Sequence, residues 1–284
     1  MNDRSESTST KLLQGIKVIS LSINTPGPVA ASRLAGLGAE VTKVEPPTGD
    51  PLRIFAPEWY RSLSAGQRIV TLDLKQESDR AELDRLLAEA DLLLASFRPS
   101  ALARLGLDWP TLHARHPRLC FVGIIGYPHP DEEKSGHDLT YLAETGLVTP
   151  PEMPATLFVD LAGAERCVTR SLALLLKRER GAEPGQAFVS LYDSADELAG
   201  PVRAGLTAPG GVLRGGFPLY GLYQSNDGWI AIAALEPHFA QRLLSELKLA
   251  KPDHIELARS FRQRSARDWE KWAAERDLPI VAVR

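Results

Sequence analysis

From residue 16 to residue 127 the chain repeats one pattern: a short run of apolar, β-branched-rich residues, a break, then a stretch with helical character. The runs are "IKVISLSI" (16–23), "AEVTKVEP" (39–46), "IVTLDL" (69–74), "DLLLASF" (91–97) and "LCFVGIIGY" (119–127). Several are almost continuously apolar, which suits strands covered on both faces. Between them, Pro28 opens a helix through Gly36, Glu77–Ala90 carries a helical charge pattern, and helices are expected over 99–105 and from Asp108. Strands spaced by helices imply right-handed crossovers and a doubly wound, mostly parallel, Rossmann-like α/β sheet. Ligands of such sheets bind at the carboxyl ends of the strands.

A longer helix follows Asp160, where Ala164, Cys167, Val168, Leu172 and Leu175 keep helical spacing. Lys177, Arg178 and Arg180 fill its last turn and Gly181 ends it. "QAFVSLYDS" (186–194) reads as one more strand running into a helix. Then the character changes. "GLTAPGGVLRGGFPLYG" (205–221) looks like a flexible connection or lid, and "FPLYGLYQSNDGWIAIAAL" (217–235) like two strands joined by a hairpin turn. Two amphipathic stretches, "PHFAQRLLSELKL" and "SARDWEKWAAERD", follow. The expected organisation is a polar, disordered tail at 1–10, a Rossmann-like domain at 11–204 and a smaller α+β domain at 205–284.

Several function classes drop out. There is no G-x-G-x-x-G fingerprint and no G-x-x-x-x-G-K-[ST] loop, which disfavours nicotinamide and P-loop chemistry. The formal net charge is −3 with no basic cluster, so nucleic acid is not an expected partner. Cys120 and Cys167 form neither a metal spacing nor a disulfide framework, and a reducing, cytoplasmic setting without a metal is expected. The apolar runs are strand length, so no membrane span is expected.

Three residues stand out as candidates for chemistry, and each has an ordinary explanation. His137 in "GHDLTYLAETG" (136–146) flanks a helix that Asp138 could cap. Asp160 is suited to capping the helix that follows it. Glu236 in "ALEPHF" is an acid between a strand and a Pro-started helix.

The order of the pieces resembles the family III CoA-transferases of the CaiB/BaiF type, and within them the α-methylacyl-CoA racemases. The segments that carry the resemblance run from "LLQGIKVISLS" and "PGP" through "LAGLGAEVTKVEPPTGD", "QRIVTLDLK", "ADLLLASFRPSALARLGLDW" and "HPRLCFVGIIGY". Asp160 matches the family's catalytic aspartate. "SGHDLTYLAETGL" resembles the racemase histidine motif, which implies a catalytic His137, and "GGFPLYGLYQSNDGWIAIAALEPHF" implies the same for Glu236.

The resemblance implies an enzyme of acyl-CoA thioesters, with coenzyme A arriving as part of the substrate, no permanently bound cofactor, and a homodimer. Racemising a 2-methylacyl thioester needs two acid/base groups across the α-carbon, here His137 oriented by Glu236 on one face and Asp160 on the other. Backbone N–H groups at the helix start after Asp160 are expected to stabilise the enolate oxygen. The transferase branch would instead use Asp160 as a nucleophile. A third reading is an acyl-CoA binding protein without turnover. Lys43, Arg98 and Arg104 are expected near the cofactor's adenosine and phosphates. Gln67 stands where the family usually has lysine, with Arg68 beside it as a substitute.

Overall fold

In a computed structural model, residues 11–284 are described. The segment read from sequence as a polar tail lies outside the described residues. The rest forms two compact units that divide between Leu198 and Ala199. This is six residues before the boundary expected at 204/205, because the short helix at Gly200–Arg203 groups with the second unit.

The first unit alternates as the apolar runs require. Its elements are β1 (Lys17–Leu21), α1 (Pro26–Gly36), β2 (Glu40–Glu45), α2 (Leu52–Phe55), α3 (Pro57–Ser64), β3 (Arg68–Thr71) and α4 (Glu77–Ala88). They continue with β4 (Leu92–Ala95), α5 (Pro99–Arg104), α6 (Trp109–Arg115), β5 (Cys120–Ile125), α7 (Asp138–Glu144), α8 (Phe158–Glu179), β6 (Gln186–Ser190) and α9 (Leu191–Leu198). The strands form one sheet in the order β3-β2-β1-β4-β5-β6, every neighbouring pair parallel. Side chains alternate across it: Leu92 and Leu94 enter one core with Val18, Leu34 and Cys167, while Leu93 and Ala95 enter the other with Leu83, Leu87 and Phe121. Both faces are covered, which is why the strands read as unbroken apolar runs.

Strand order reverses direction between β1 and β4, so the loops leaving these two strands part company and open a crevice at the carboxyl edge. On one face α8 packs beside α1 and α9. Gly163 permits that approach, since a Cβ there would lie 2.5 Å from Leu191 Cδ2.

The second unit holds α10 (Gly200–Arg203), β7 (Tyr220–Gln224), β8 (Trp229–Ala233), α11 (Pro237–Leu247), α12 (His254–Phe261), α13 (Ala266–Ala274) and β9 (Ile280–Ala282). The expected hairpin is β7–β8, antiparallel, and β9 adds a third strand that was not anticipated. The glycine-rich passage is a folded loop: an irregular turn at Val212–Gly216, in which Gly215 takes a positive φ (93°), is held by Leu213 N–H to Leu206 O (3.0 Å) and Gly216 N–H to Gly211 O (2.9 Å). No helix among the described residues is long and apolar enough to cross a membrane.

Candidate active site

The crevice at the switch point is a cleft of about 270 Å³. Ile23 and Asn24 after β1, Ser96–Arg98 after β4 and Gly126 after β5 form its floor, with His137 and Asp160 on its border. Two residues 23 apart along the chain thus meet in one cleft at the place where α/β sheets bind ligands.

Local sequence explains the walls. Asn24 takes a left-handed conformation (φ 66°), a turn its short polar side chain tolerates, and sends the chain from β1 into α1. Gly126 and Gly136 both lie against the phenol of Tyr141. A Cβ on Gly126 would come within 2.6 Å of its oxygen. Tyr141 is fully buried, and that burial pushes its phenol up to about 12, so it stays neutral.

His137 is the N-terminal cap residue of α7. Its backbone is pinned by Thr140, whose hydroxyl accepts from His137 N–H (3.0 Å) and lies 2.8 Å from His137 O. The imidazole is exposed on the cleft rim. Asp138 does not cap its own helix. Its buried carboxylate crosses to α8 and accepts from Val159 N–H (2.7 Å) and Asp160 N–H (3.0 Å). It thereby satisfies two of the donors a helix start leaves open.

Asp160 is accordingly not the N-cap of α8: Leu157 holds that position, and Asp160 lies within the first turn. This half-buried carboxyl is pushed up to about 7, first by burial and then by the Asp138 charge, while a hydrogen bond with Thr25 pulls the other way. Near neutrality it carries a proton part of the time, the state required of an acid/base group. The donors expected after Asp160 to serve an enolate oxygen are not open: Leu161 N–H donates to Leu157 O (3.0 Å) within the helix, and Asp138 takes the Val159 and Asp160 N–H groups before it.

The expected cofactor contacts separate. Arg98 borders the cleft and donates to Ser135 Oγ (2.9 Å). Arg104 is exposed in the last turn of α5 and is not part of the cleft lining. Lys43, expected to reach the cofactor, is 1% exposed, with its ammonium 2.9 Å from Glu45 and 2.6 Å from Asp50. It is a buried structural ion, not a phosphate ligand. Arg68 opens β3, so the parallel sheet puts it at the amino edge, away from the cleft. Glu236 is the exposed N-cap residue of α11, in the second unit.

A second hollow, about 240 Å³ and mostly apolar, shares Ile23 and Phe97 with the acid cleft. Pro47, Leu72 and Lys75 line it at the ends of β2 and β3. Sequence reading missed these residues, although each stands just beyond a strand end, where the carboxyl-edge rule directs attention. The larger hollow beside the small sheet, about 800 Å³, has Tyr220, Leu222 and His254 in its lining but no carboxylate. Among the described residues no cluster of three or more His, Cys, Asp or Glu could hold a metal ion.

Comparison with known proteins agrees with the fold of the chain. The chain is 39% identical over 154 residues to a cinnamoyl-CoA:phenyllactate CoA-transferase of Clostridium sporogenes, covering 50% of this chain and 37% of that protein. It is 32% identical over 275 residues to the human alpha-methylacyl-CoA racemase, covering 90% of this chain and 69% of the relative. A crystal structure of a hypothetical protein from Mycobacterium tuberculosis superposes with a TM-score of 0.82 at 27% identity, over 96% of this chain and 85% of the other. The chain thus spans little more than a third of the first relative and about two thirds of the second. The sequence model for CoA-transferase family III matches residues 13–284, and the chain belongs to that family.

Proposed function

We propose that this chain acts on acyl-CoA thioesters and interconverts the two configurations at the α-carbon of a 2-methylacyl-CoA. The observation that carries this reading is that His137 and Asp160 border one cleft. One group removes the α-proton, leaving an enolate, and the other returns a proton to the opposite face. Each such group is worth roughly 10²–10⁴ in rate. Asp160 suits either role, because its carboxyl titrates at about 7. With the Val159 and Asp160 N–H groups engaged by Asp138, the enolate oxygen is assigned to the Asp138 and Leu139 N–H groups that open α7, beside His137.

The adenine ring is assigned to the apolar hollow beside Phe97 and Leu72, with Lys75 and Arg98 toward the phosphates. The reading includes a homodimer, which sedimentation at micromolar concentration tests directly.

CoA transfer through Asp160 is the second reading, favoured by the half-buried, poorly solvated state of that carboxyl. Ionised, such a group attacks a thioester more readily than a hydrated one. Incubation of 2-methylacyl-CoA with the protein in D₂O separates the two. Racemisation puts deuterium on the α-carbon of both enantiomers, and His137→Ala and Asp160→Asn each abolish inversion, leaving exchange of one enantiomer only. Absence of deuterium together with a CoA adduct trapped on Asp160 selects transfer and overturns racemisation. Binding with neither outcome leaves a non-catalytic acyl-CoA binder.

A further inference from the structure

Tyr141 is 1% exposed, yet it carries a hydroxyl that the fold leaves unused. Among the described residues, no protein group is hydrogen-bonded to that oxygen. The other two buried phenols there are both engaged: Tyr127 donates to Glu144 Oε1 (2.6 Å) and Tyr223 to Pro218 O (2.6 Å). A buried phenol normally finds such a partner, because an unpaired one has given up hydration for nothing. The Tyr141 oxygen lies where a bound ligand can supply the partner. Gly126 and Gly136 flank it, and a Cβ on them would come within 2.6 and 2.7 Å of it. All three residues belong to the cleft lining, together with His137 and Asp160. The two glycines keep the slot around the hydroxyl open. Tyr141 stands three residues after Asp138, on the same face of α7, and a helical side chain leans back toward its helix start. The phenol therefore reaches the end of α7 where the Asp138 and Leu139 N–H groups emerge. Its contact with Gly136, one residue before the cap, shows how far it extends.

We infer that Tyr141 is a further catalytic donor: its hydroxyl hydrogen-bonds the thioester oxygen of the acyl-CoA and stabilises the negative charge that gathers there. The inference rests on the reading that the thioester carbonyl enters this cleft, which racemisation and CoA transfer share. In racemisation the α-C–H bond breaks, its proton passes to His137 or Asp160, and its electron pair moves through the carbonyl onto the oxygen. In transfer the same oxygen gains charge when the Asp160 carboxylate adds to the carbonyl carbon, before the thiolate leaves. The phenol keeps its own proton throughout and gives only a hydrogen bond. Burial holds that proton until about pH 12, so the group remains a donor across the neutral range.

Tyr141→Phe deletes only the hydroxyl and keeps the ring packed edge-on against Tyr127. Because that hydroxyl has no partner in the fold, the variant unfolds at the parent's urea midpoint or a higher one. With 2-methylacyl-CoA in D₂O it takes up α-deuterium about 10²–10³-fold more slowly, with kcat falling and KM little changed. Both enantiomers are slowed alike, whereas the His137 and Asp160 variants each spare one. A second measurement needs no turnover: the infrared carbonyl stretch of an acyl-CoA carrying ¹³C at the thioester carbon, added to parent and variant. The parent lowers the stretch from its free value, and Tyr141→Phe returns it part of the way. A deuterium rate within about threefold of the parent's, or a stretch the substitution leaves unmoved, overturns the inference. So does a rate loss accompanied by an Asp160 ¹³C-carboxylate titration moved by about one pH unit, since the phenol would then act through that carboxyl. If the parent itself takes up no deuterium, racemisation fails, and the carbonyl stretch still decides the role of Tyr141.

Discussion

Replacing Asp138 by alanine removes a carboxylate that performs two tasks at once. It holds the Val159 and Asp160 amides at the start of the 22-residue helix α8, and it adds a negative charge beside Asp160. Loss of a helix-capping acceptor costs about 1 kcal/mol, and an orphaned buried amide adds about 1–3 kcal/mol. Val159 is fully buried, so water cannot take over its amide easily. The expected loss for Asp138→Ala is therefore about 2–4 kcal/mol in urea unfolding. Asp138→Asn keeps an acceptor and loses the charge, so it costs less, about 1 kcal/mol. It also lowers the Asp160 titration from about 7, though not to the ordinary carboxylate value, because burial is the larger cause. Circular dichroism in urea and a carboxylate titration measure the two effects separately. A loss below about 0.5 kcal/mol in Asp138→Ala, or an Asp160 titration unmoved in Asp138→Asn, would refute the reasoning.

Asp160 itself makes stability pH-dependent. Its folded titration at about 7 lies above the ordinary 3.8, so between those values the native state holds the extra proton and stability falls as pH rises. Asp160→Asn should exceed the parent by about 2 kcal/mol at pH 8, after discounting its open side for solvent, with the difference vanishing near pH 4 in denaturation curves. Lys43→Met leaves Glu45 and Asp50 buried without their cation, and about 3–5 kcal/mol should be lost in the same assay. Phe97→Ala opens the wall shared by the two hollows and should weaken CoA binding about tenfold by calorimetry, with the unfolding midpoint little changed.

The parallel sheet was legible because strands buried on both faces leave continuous apolar runs, as in Leu92–Ala95 and Cys120–Ile125. The hairpin was legible from its turn. The small second unit was read less completely. α12 announces itself only through Asp253, whose carboxylate accepts from Ile255 and Glu256 N–H, and β9 is three residues long, too short for a period to register.

Charged residues were the least readable. Lys43 looks like a surface cation until Asp50, seven residues on, is seen to fold back onto it. The role of Asp138 is a long-range bond over 21 residues to another helix, which no local capping rule expresses. Family resemblance directed attention to His137 and Asp160, but whether their cleft would hold them together depended on strand order, and strand order is set by tertiary pairing.

The division of labour between the two groups is tested most directly by stereochemistry. Each enantiomer of 2-methylacyl-CoA is incubated in D₂O with His137→Gln and, separately, with Asp160→Asn, and α-deuterium is counted by mass spectrometry. Two groups on opposite faces predict that each variant exchanges one enantiomer without inverting it, and that the two variants choose opposite enantiomers. Loss of exchange for both enantiomers in only one variant, with the other behaving as the parent, contradicts the account.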